Sequence, residues 1–228
     1  MADRGRLAFP ARLSALVVAL LVALPAVAGC AGQAPAAQGP VTDVRMNDTD
    51  GLNGVVLDRP YHAPGVQLRS TSDTASTLTA ATRGRPLTLV FFGYTNCPDV
   101  CQVVMANLAS ALVRLDPAQR ARVGMVFVTT DPARDTPTRL RSYLNRFDRS
   151  FQGATGDLAR IVRLGKAFGV PIEKGQKLAS GGYDVVHGTQ VLGLRPDGTV
   201  PFVWTEDTAP AALADDIKKI LEDKVPGQ

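Results

Sequence analysis

The sequence predicts an α/β domain: a central mixed sheet flanked by helices, with small edge strands on its N-terminal side. Three observations carry that expectation. Residues 87–92 and 123–128 are continuous apolar runs of strand length without polar alternation, the pattern of strands buried on both faces. Between them, apolar residues recur at helical spacing, so the unit reads β-α-β, and its right-handed crossover makes the two strands parallel. Further on, two apolar stretches flank Pro196-Asp197-Gly198, which reads as a hairpin adding antiparallel strands.

Taken in order, residues 31–50 are rich in Ala, Gly, Pro, Gln and Asp, show no apolar periodicity, and are expected to form a flexible tether. Val55-Val56-Leu57 and Val66-Gln67-Leu68, separated by Pro60 and Pro64, read as the small edge strands. The first core strand, 87–92, is bounded by Pro86 and Gly93. Pro98 suits the first turn of the following helix and Asp99 its positive end; Val104, Leu108, Ala111, Leu112 and Leu115 continue it until Asp116-Pro117 stops the run. After the second core strand, Thr136-Pro137 opens a helix carrying Leu140, Leu144 and Phe147, and Leu158, Ile161, Val162 and Phe168 mark another. Residues 189–194 and 200–204 form the hairpin. Residues 210–221 close the fold with a helix that buries Leu213, Ile217, Ile220 and Leu221 and turns Asp215, Asp216, Lys218 and Lys219 to solvent. Trp204, ending a strand, reads as packing. The order β-α-β-α-α-β-β-α is the thioredoxin arrangement, with Cys97 just after the first core strand.

The chain has 228 residues, enough for one domain plus a leader and a linker. A net charge of +4, with both signs mixed and no Lys/Arg run, excludes a nucleic-acid surface. The N-terminus points to a compartment. Arg4, Arg6 and Arg12 precede an unbroken apolar stretch, 13–28, short for a membrane span, which ends in Val27-Ala28-Gly29-Cys30. This resembles a bacterial lipobox, in which Cys30 is lipidated and becomes the mature N-terminus; an uncleaved anchor helix is the alternative. Residues 1–30 are thus expected to be a lipoprotein signal peptide, 31–50 the tether and 51–225 the folded domain, lipid-anchored on the extracytoplasmic face of the bacterial cell membrane.

Three cysteines, Cys30, Cys97 and Cys101, make an odd count. With Cys30 lipidated, the other two remain as a pair, free in an oxidising compartment to form a disulfide, a metal site, or each in turn. In Cys97-Pro98-Asp99-Val100-Cys101 the i, i+4 spacing puts both thiols on one helical face. Cys97 at the helix start would be favoured as thiolate, the form that attacks disulfides and binds metals. The spacing is one residue wider than the C-x-x-C of thioredoxin-type reductases. A disulfide stays possible with some distortion of the first turn. Equally, the two sulfurs can clasp a soft ion such as Cu(I), which accepts two or three ligands; zinc wants four, and no further Cys/His set is evident.

A third ligand would be a His or a Met. Of the two histidines, His187 lies in Val185-Val186-His187-Gly188-Thr189, in the loop that enters the strand near Thr189, which in this fold faces the cysteines. His62 sits in a Pro-flanked segment outside the core. Met105 shares the helical face of the thiols, where Met is usually core.

At these residues the chain resembles the Sco/SenC family of thioredoxin-like copper proteins. The matching stretches are FFGYTNCPDVC, VFVTTDPARDTP and the YDVVHG loop. The resemblance covers about residues 52–221. It implies copper held by Cys97, Cys101 and His187, and a role in delivering copper to the dinuclear copper centre of cytochrome c oxidase or in reducing that centre's cysteines. Implied partners are the oxidase's copper-bearing subunit and another copper chaperone or a thiol reductant. Asp131, Asp135 and Pro137 match the second stretch, where Asp135 or Thr136 would cap a helix that Pro137 starts. The family commonly has His at the place of Asn96, Pro at that of Gln102 and Asp at that of Val186; Asp184 is then the nearby carboxylate available to orient the His187 ring. The peroxiredoxin P-x-x-x-T-x-x-C pattern is absent. Three functions stay open on the sequence: a copper metallochaperone, a thiol-disulfide oxidoreductase using Cys97 and Cys101, and a secreted binding module with a permanent disulfide.

Overall fold

The computed structural model describes residues 51–177 and 183–225. The chain opens with β1 (Val55–His62), β2 (Leu68–Ser70), β3 (Ala75–Ser76) and the short α1 (Leu78–Ala81), capped by the Thr77 hydroxyl accepting from the Ala80 N–H. The central unit follows: β4 (Leu87–Gly93), α2 (Val100–Val113), α3 (Pro117–Ala121) and β5 (Val123–Thr129). Next come α4 (Pro137–Leu144), β6 (Gln152–Thr155) and α5 (Leu158–Ala167). The chain ends with β7 (Ile172–Lys177), β8 (Tyr183–His187), β9 (Val191–Leu194), β10 (Thr199–Trp204) and α6 (Pro210–Leu221).

Among the described residues, an eight-stranded sheet has the order β1-β10-β9-β4-β5-β6-β2-β3, and β7 pairs with β8 in a separate hairpin. β4, β5 and β6 are parallel, in the register Leu87↔Val123 and Val126↔Gln152; the flanking strands are antiparallel. This is the thioredoxin-like fold. Every residue of β4 is buried, because alternate side chains enter two different cores. Leu89, Phe91 and Phe127 pack with residues of α2, α4 and α6 on one face, whereas Val90, Phe92 and Val128 pack with α1 and α5 on the other. Each such side chain contributes about 1.5–3 kcal/mol when fully buried. Because β4 and β5 both run toward Cys97, the sheet has a site pole at their C-terminal ends and a far pole at Leu87 and Val123.

The structure differs from the sequence expectation in several places. α2 starts at Val100, so Pro98 and Asp99 lie ahead of it and the Asp99 side chain makes no cap bond. α2 ends at Val113 with Arg114 as its C-cap, short of the expected Leu115, and Asp116-Pro117 instead starts α3 through a capping box with Gln119. β6 and the β7–β8 hairpin stand where no strand was read. β6, Gln-Gly-Ala-Thr, has almost no apolar signal, and β7 is mostly exposed and polar. In α5, the buried stripe is Ile161, Leu164 and Gly165, while Leu158 and Val162 face out.

Asp216 is also a correction: it is 0% exposed, not on the solvent side of α6. Its carboxylate accepts from the Asn53 N–H (2.9 and 3.0 Å), the Asn53 side-chain amide (2.8 Å), the Gly54 N–H (2.9 Å) and Trp204 Nε1–H (2.8 Å). These bonds staple the lead-in to β1 and the end of β10 onto α6. Gly54 is required there, since a Cβ would meet the Trp204 ring at 2.4 Å. Asp216→Ala, which orphans these buried donors, is expected to cost about 3 kcal/mol. Urea unfolding checks it, with a lower midpoint at unchanged slope.

Candidate metal centre

Where β4 ends, the backbone turns through Tyr94, Thr95 and Asn96 to Cys97, whose N–H donates to the Tyr94 carbonyl at 3.1 Å. The fully buried Asp135 fixes this turn: its carboxylate accepts from the Thr95 N–H (2.9 Å), the Thr95 hydroxyl (2.5 Å) and the Thr129 hydroxyl (2.7 Å). Arg139 donates from outside to Thr95 Oγ1 at 3.0 Å and to Asn96 Oδ1 at 2.5 Å. Thr136, not Asp135, caps α4, accepting from the Arg139 N–H, and Pro137 takes its first turn. The DPARDTP stretch therefore does two jobs. It starts a helix and it clamps the cysteine turn.

Cys97 lies ahead of α2 and Cys101 in its first turn, so the sulfurs are not on one continuous helix as the spacing implied. Cys97 Sγ instead accepts the Cys101 N–H at 3.4 Å, standing where an N-cap oxygen would stand. Both thiols are free and buried, Cys97 at 6% exposure and Cys101 at 0%. A hydrogen bond from the Cys101 thiol pulls the Cys97 pKa down to about 4 against its own burial, with help from the helix-start N–H groups. The same bond and burial push Cys101 up. The pair titrates as a unit: one thiolate hydrogen-bonded by one thiol. The site tolerates little extra volume, since a Cβ on Gly93 would stand 3.0 Å from Cys101 Sγ and from the rings of Phe91 and Phe127.

His187 ends β8; it lies on a strand, not in a loop leading to β9 as the sequence suggested. β7 and β8 pair Ile172 with His187, and the buried Val185 anchors the hairpin to the core. His187 Nε2 is 3.5 Å from Cys101 Sγ, and the ligand atoms of Cys97, Cys101 and His187 all lie within 4.8 Å of one another. His187 Nδ1 is 2.9 Å from the Gly188 carbonyl. A carbonyl only accepts, so Nδ1 carries the proton and Nε2 presents its lone pair to the sulfurs. The ring stands edge-on to Phe91 and Tyr94, with centroids 6.2 and 5.8 Å away.

Asp184 does not orient this ring. Its carboxylate accepts from the Tyr94 hydroxyl and from the Val185 N–H at 2.8 Å. Tyr94 thus joins the cysteine turn directly to the histidine strand. Burial, then the Asp184 bond and the Cys97 charge, raise its pKa; the Tyr94 bond holds that of Asp184 down. Sequence reasoning gave this tyrosine no role, because the partner of its hydroxyl lies 90 residues away in the chain.

The other candidates separate from the centre. His62 ends β1, paired with Thr199 toward the far pole. Met105 is core. Asn96 and Gln102 are exposed, as is Val186 at 51%. Cys30, the signal peptide and the tether lie outside the described residues. Among the described residues no helix is long and apolar enough to cross a membrane. Two sulfurs and one imidazole nitrogen at these separations fit a three-coordinate soft metal ion. Without an ion, the same sulfurs form a dithiol suited to disulfide exchange.

A sequence profile of the SCO1/SenC family matches residues 67–222. A candidate copper-binding protein of Stutzerimonas stutzeri is 32% identical over 151 residues, 66% of this chain and 72% of that protein. The copper-bound ScoI structure from Bradyrhizobium japonicum is 30% identical with a TM-score of 0.60, covering 71% of this chain and 98% of that one. The apo Sco1 structure from Thermus thermophilus is 27% identical with a TM-score of 0.65, covering 76% and 99%.

Tyr94→Phe keeps the ring beside His187 and deletes the hydroxyl that holds Asp184. Loss of a hydrogen bond to a carboxylate is expected to loosen the hairpin by about 1–2 kcal/mol. Native-state hydrogen exchange checks this: the Val185, Val186 and His187 amides should exchange roughly 5- to 30-fold faster, with those of β4 and β5 unchanged.

Proposed function

The chain belongs to the SCO1/SenC family, and on that footing we propose that it is a copper metallochaperone that holds one copper ion through Cys97, Cys101 and His187 and serves assembly of the dinuclear copper centre of cytochrome c oxidase. The observation that carries this reading is the convergence of two thiols and one imidazole, from separate elements, within 4.8 Å. Copper here is cargo. Cys97 offers sulfur as thiolate, Cys101 closes the second side by losing its proton, and His187 supplies Nε2 already free of one. The relatives support copper: the Bradyrhizobium structure is named as copper-bound, and the Stutzerimonas protein is named for copper. Both thiols must be reduced for loading, so an external thiol reductant is an expected partner.

A second reading is favoured by the Cys101 N–H directed at Cys97 Sγ beneath a nearly closed surface. The Cys97 thiolate would attack a disulfide in the oxidase's copper-bearing subunit and release one target thiolate; Cys101, losing its proton, would then attack Cys97 Sγ and release the second, so the chain ends oxidised at Cys97–Cys101 and the target gains two electrons, one proton coming from Cys101 and the other from water. The placement we propose for either role is the extracytoplasmic face of the cell membrane. Residues 1–30 would be a signal peptide giving lipidated Cys30, 31–50 a tether and 51–225 the working domain. The apolar run 13–28 and the lipobox-like Val27-Ala28-Gly29-Cys30 support it.

Reduced protein is expected to take up one Cu(I) per chain in competition with a chromophoric Cu(I) chelator. His187→Ala should weaken binding at least about tenfold, the smallest loss typical of even an outer-shell change. Cys97→Ser or Cys101→Ser should abolish stoichiometric uptake. Unchanged affinity in His187→Ala would sink the three-ligand assignment. Turnover of a target disulfide that needs Cys97 and ignores His187 would favour the reductase reading.

A further inference from the structure

The charges of this domain are sorted along the axis of β4 and β5. Arg83 and Arg85 precede β4, Arg122 precedes β5 and Arg149 precedes β6. α2 runs back from the site pole, so Arg114, at its C-cap, reaches the same end. Apart from half-buried Arg85, these arginines are exposed. Their side chains make no hydrogen bond or ion pair among the described residues. Of the acids at this end, Asp148 pairs with Arg120 at 3.0 Å, Asp116 closes the α3 capping box, Glu222 pairs with Lys224 at 2.6 Å, Asp73 pairs with Arg69 at 3.2 Å and Asp197 accepts from Thr199, while Asp223 stays exposed; the arginines still outnumber the uncommitted carboxylates. At the site pole the balance reverses. Asp99, Asp131, Asp157, Glu173, Asp184 and Asp207 gather there, and its arginines are committed: Arg134 to Asp131, Arg160 to Asp157 at 3.2 Å, Arg139 to Asn96.

We propose that the arginine-lined far pole is a docking surface for anionic phospholipid headgroups, which holds the domain on the bilayer with Cys97, Cys101 and His187 turned away from it. Guanidinium groups suit phosphate, and each one near an anionic leaflet strengthens binding about fivefold. Two further features of this end fit a membrane and not a soluble acidic partner. Val113, beside Arg114, is 80% exposed, an apolar side chain suited to the headgroup boundary. Between Arg83 and Arg149 opens a cavity of about 310 Å³ whose lining includes Ser72, Thr77 and Ser150 but no carboxylate, a seat for headgroup phosphate. The proposal rests on the reading above only in needing the chain to be held at a membrane. Residues 31–50 could extend to about 70 Å, so the tether alone would not orient the domain.

The test is arginine footprinting with phenylglyoxal, read by mass spectrometry, on the full chain in nanodiscs of phosphatidylcholine with or without phosphatidylglycerol. With phosphatidylglycerol, modification of Arg83, Arg122 and Arg149 is expected to slow severalfold at low salt and to recover at high salt, because the attraction is screened. Arg134 and Arg139 serve as controls and should react equally in both discs. Equal rates at the far pole in both lipids overturn the proposal, as does slowing without phosphatidylglycerol or slowing confined to Arg134 and Arg139. A chain that stays with neither disc refutes both the anchor and the docking surface. Copper content is not read, so failure here leaves the copper assignment standing.

Discussion

Asp135 lies fully buried between the ends of β4 and β5, where its two oxygens accept from the Thr95 N–H and from the hydroxyls of Thr95 and Thr129. A buried carboxylate costs several kcal/mol unless donors surround it. That cost couples the turn after β4 to the turn after β5. If Thr95 left, Asp135 would lose the N–H and one hydroxyl together. The backbone from Tyr94 to Cys97 is therefore held where Thr95 holds it, and Thr130 adds its N–H to the Gly93 carbonyl at 2.7 Å. From that fixed turn the rest of the centre follows. Cys97 Sγ meets the Cys101 N–H, α2 starts in register behind it, and the Tyr94 hydroxyl points at Asp184.

The histidine is held differently from the thiols. The thiols stand on the eight-stranded sheet and its crossover helix, with both hydrophobic cores behind them. His187 arrives on a hairpin outside that sheet, fastened by buried Val185, by ring contacts to Phe91 and Tyr94, and by the Asp184 bond. Withdrawing it would break few interactions and leave the dithiol intact. On the proposed reading of copper as cargo, transfer would use such a division, because a ligand that must let go is best carried by an element whose release does not unfold the domain.

How much of this was legible depended on the range of each interaction. The continuous runs of β4 and β5, the helical stripe of α2 and the Thr136-Pro137 start of α4 are local patterns, and each stands where the sequence put it. The joining of Cys97 and Cys101 with His187 followed from fold topology. β6, β7 and β8 escaped because their strands are held by neighbours, not by their own apolar content. Asp135 and Asp216 escaped for a related reason. A buried carboxylate looks like any surface carboxylate until the donors that satisfy it are known, the farthest of them 40 residues away for Asp135 and 163 for Asp216.

The pairing of Tyr94 with Asp184 shows how a departure from the family pattern is accommodated. Where the family often places an aspartate beside the histidine, this chain has Val186, which is exposed and touches neither sulfur nor imidazole in any hydrogen bond. The orienting work is divided instead. The Gly188 carbonyl takes the Nδ1 proton and so fixes the tautomer, a task that needs no side chain. The carboxylate at Asp184 fixes the strand, not the ring, by meeting a hydroxyl from the cysteine turn. Alternation along β8 puts Asp184 on the face opposite His187, so it could not have reached the imidazole without reversing the strand. Tyr94, whose ring lies edge-on to His187 while its hydroxyl reaches around to Asp184, spans the two faces that a strand keeps apart.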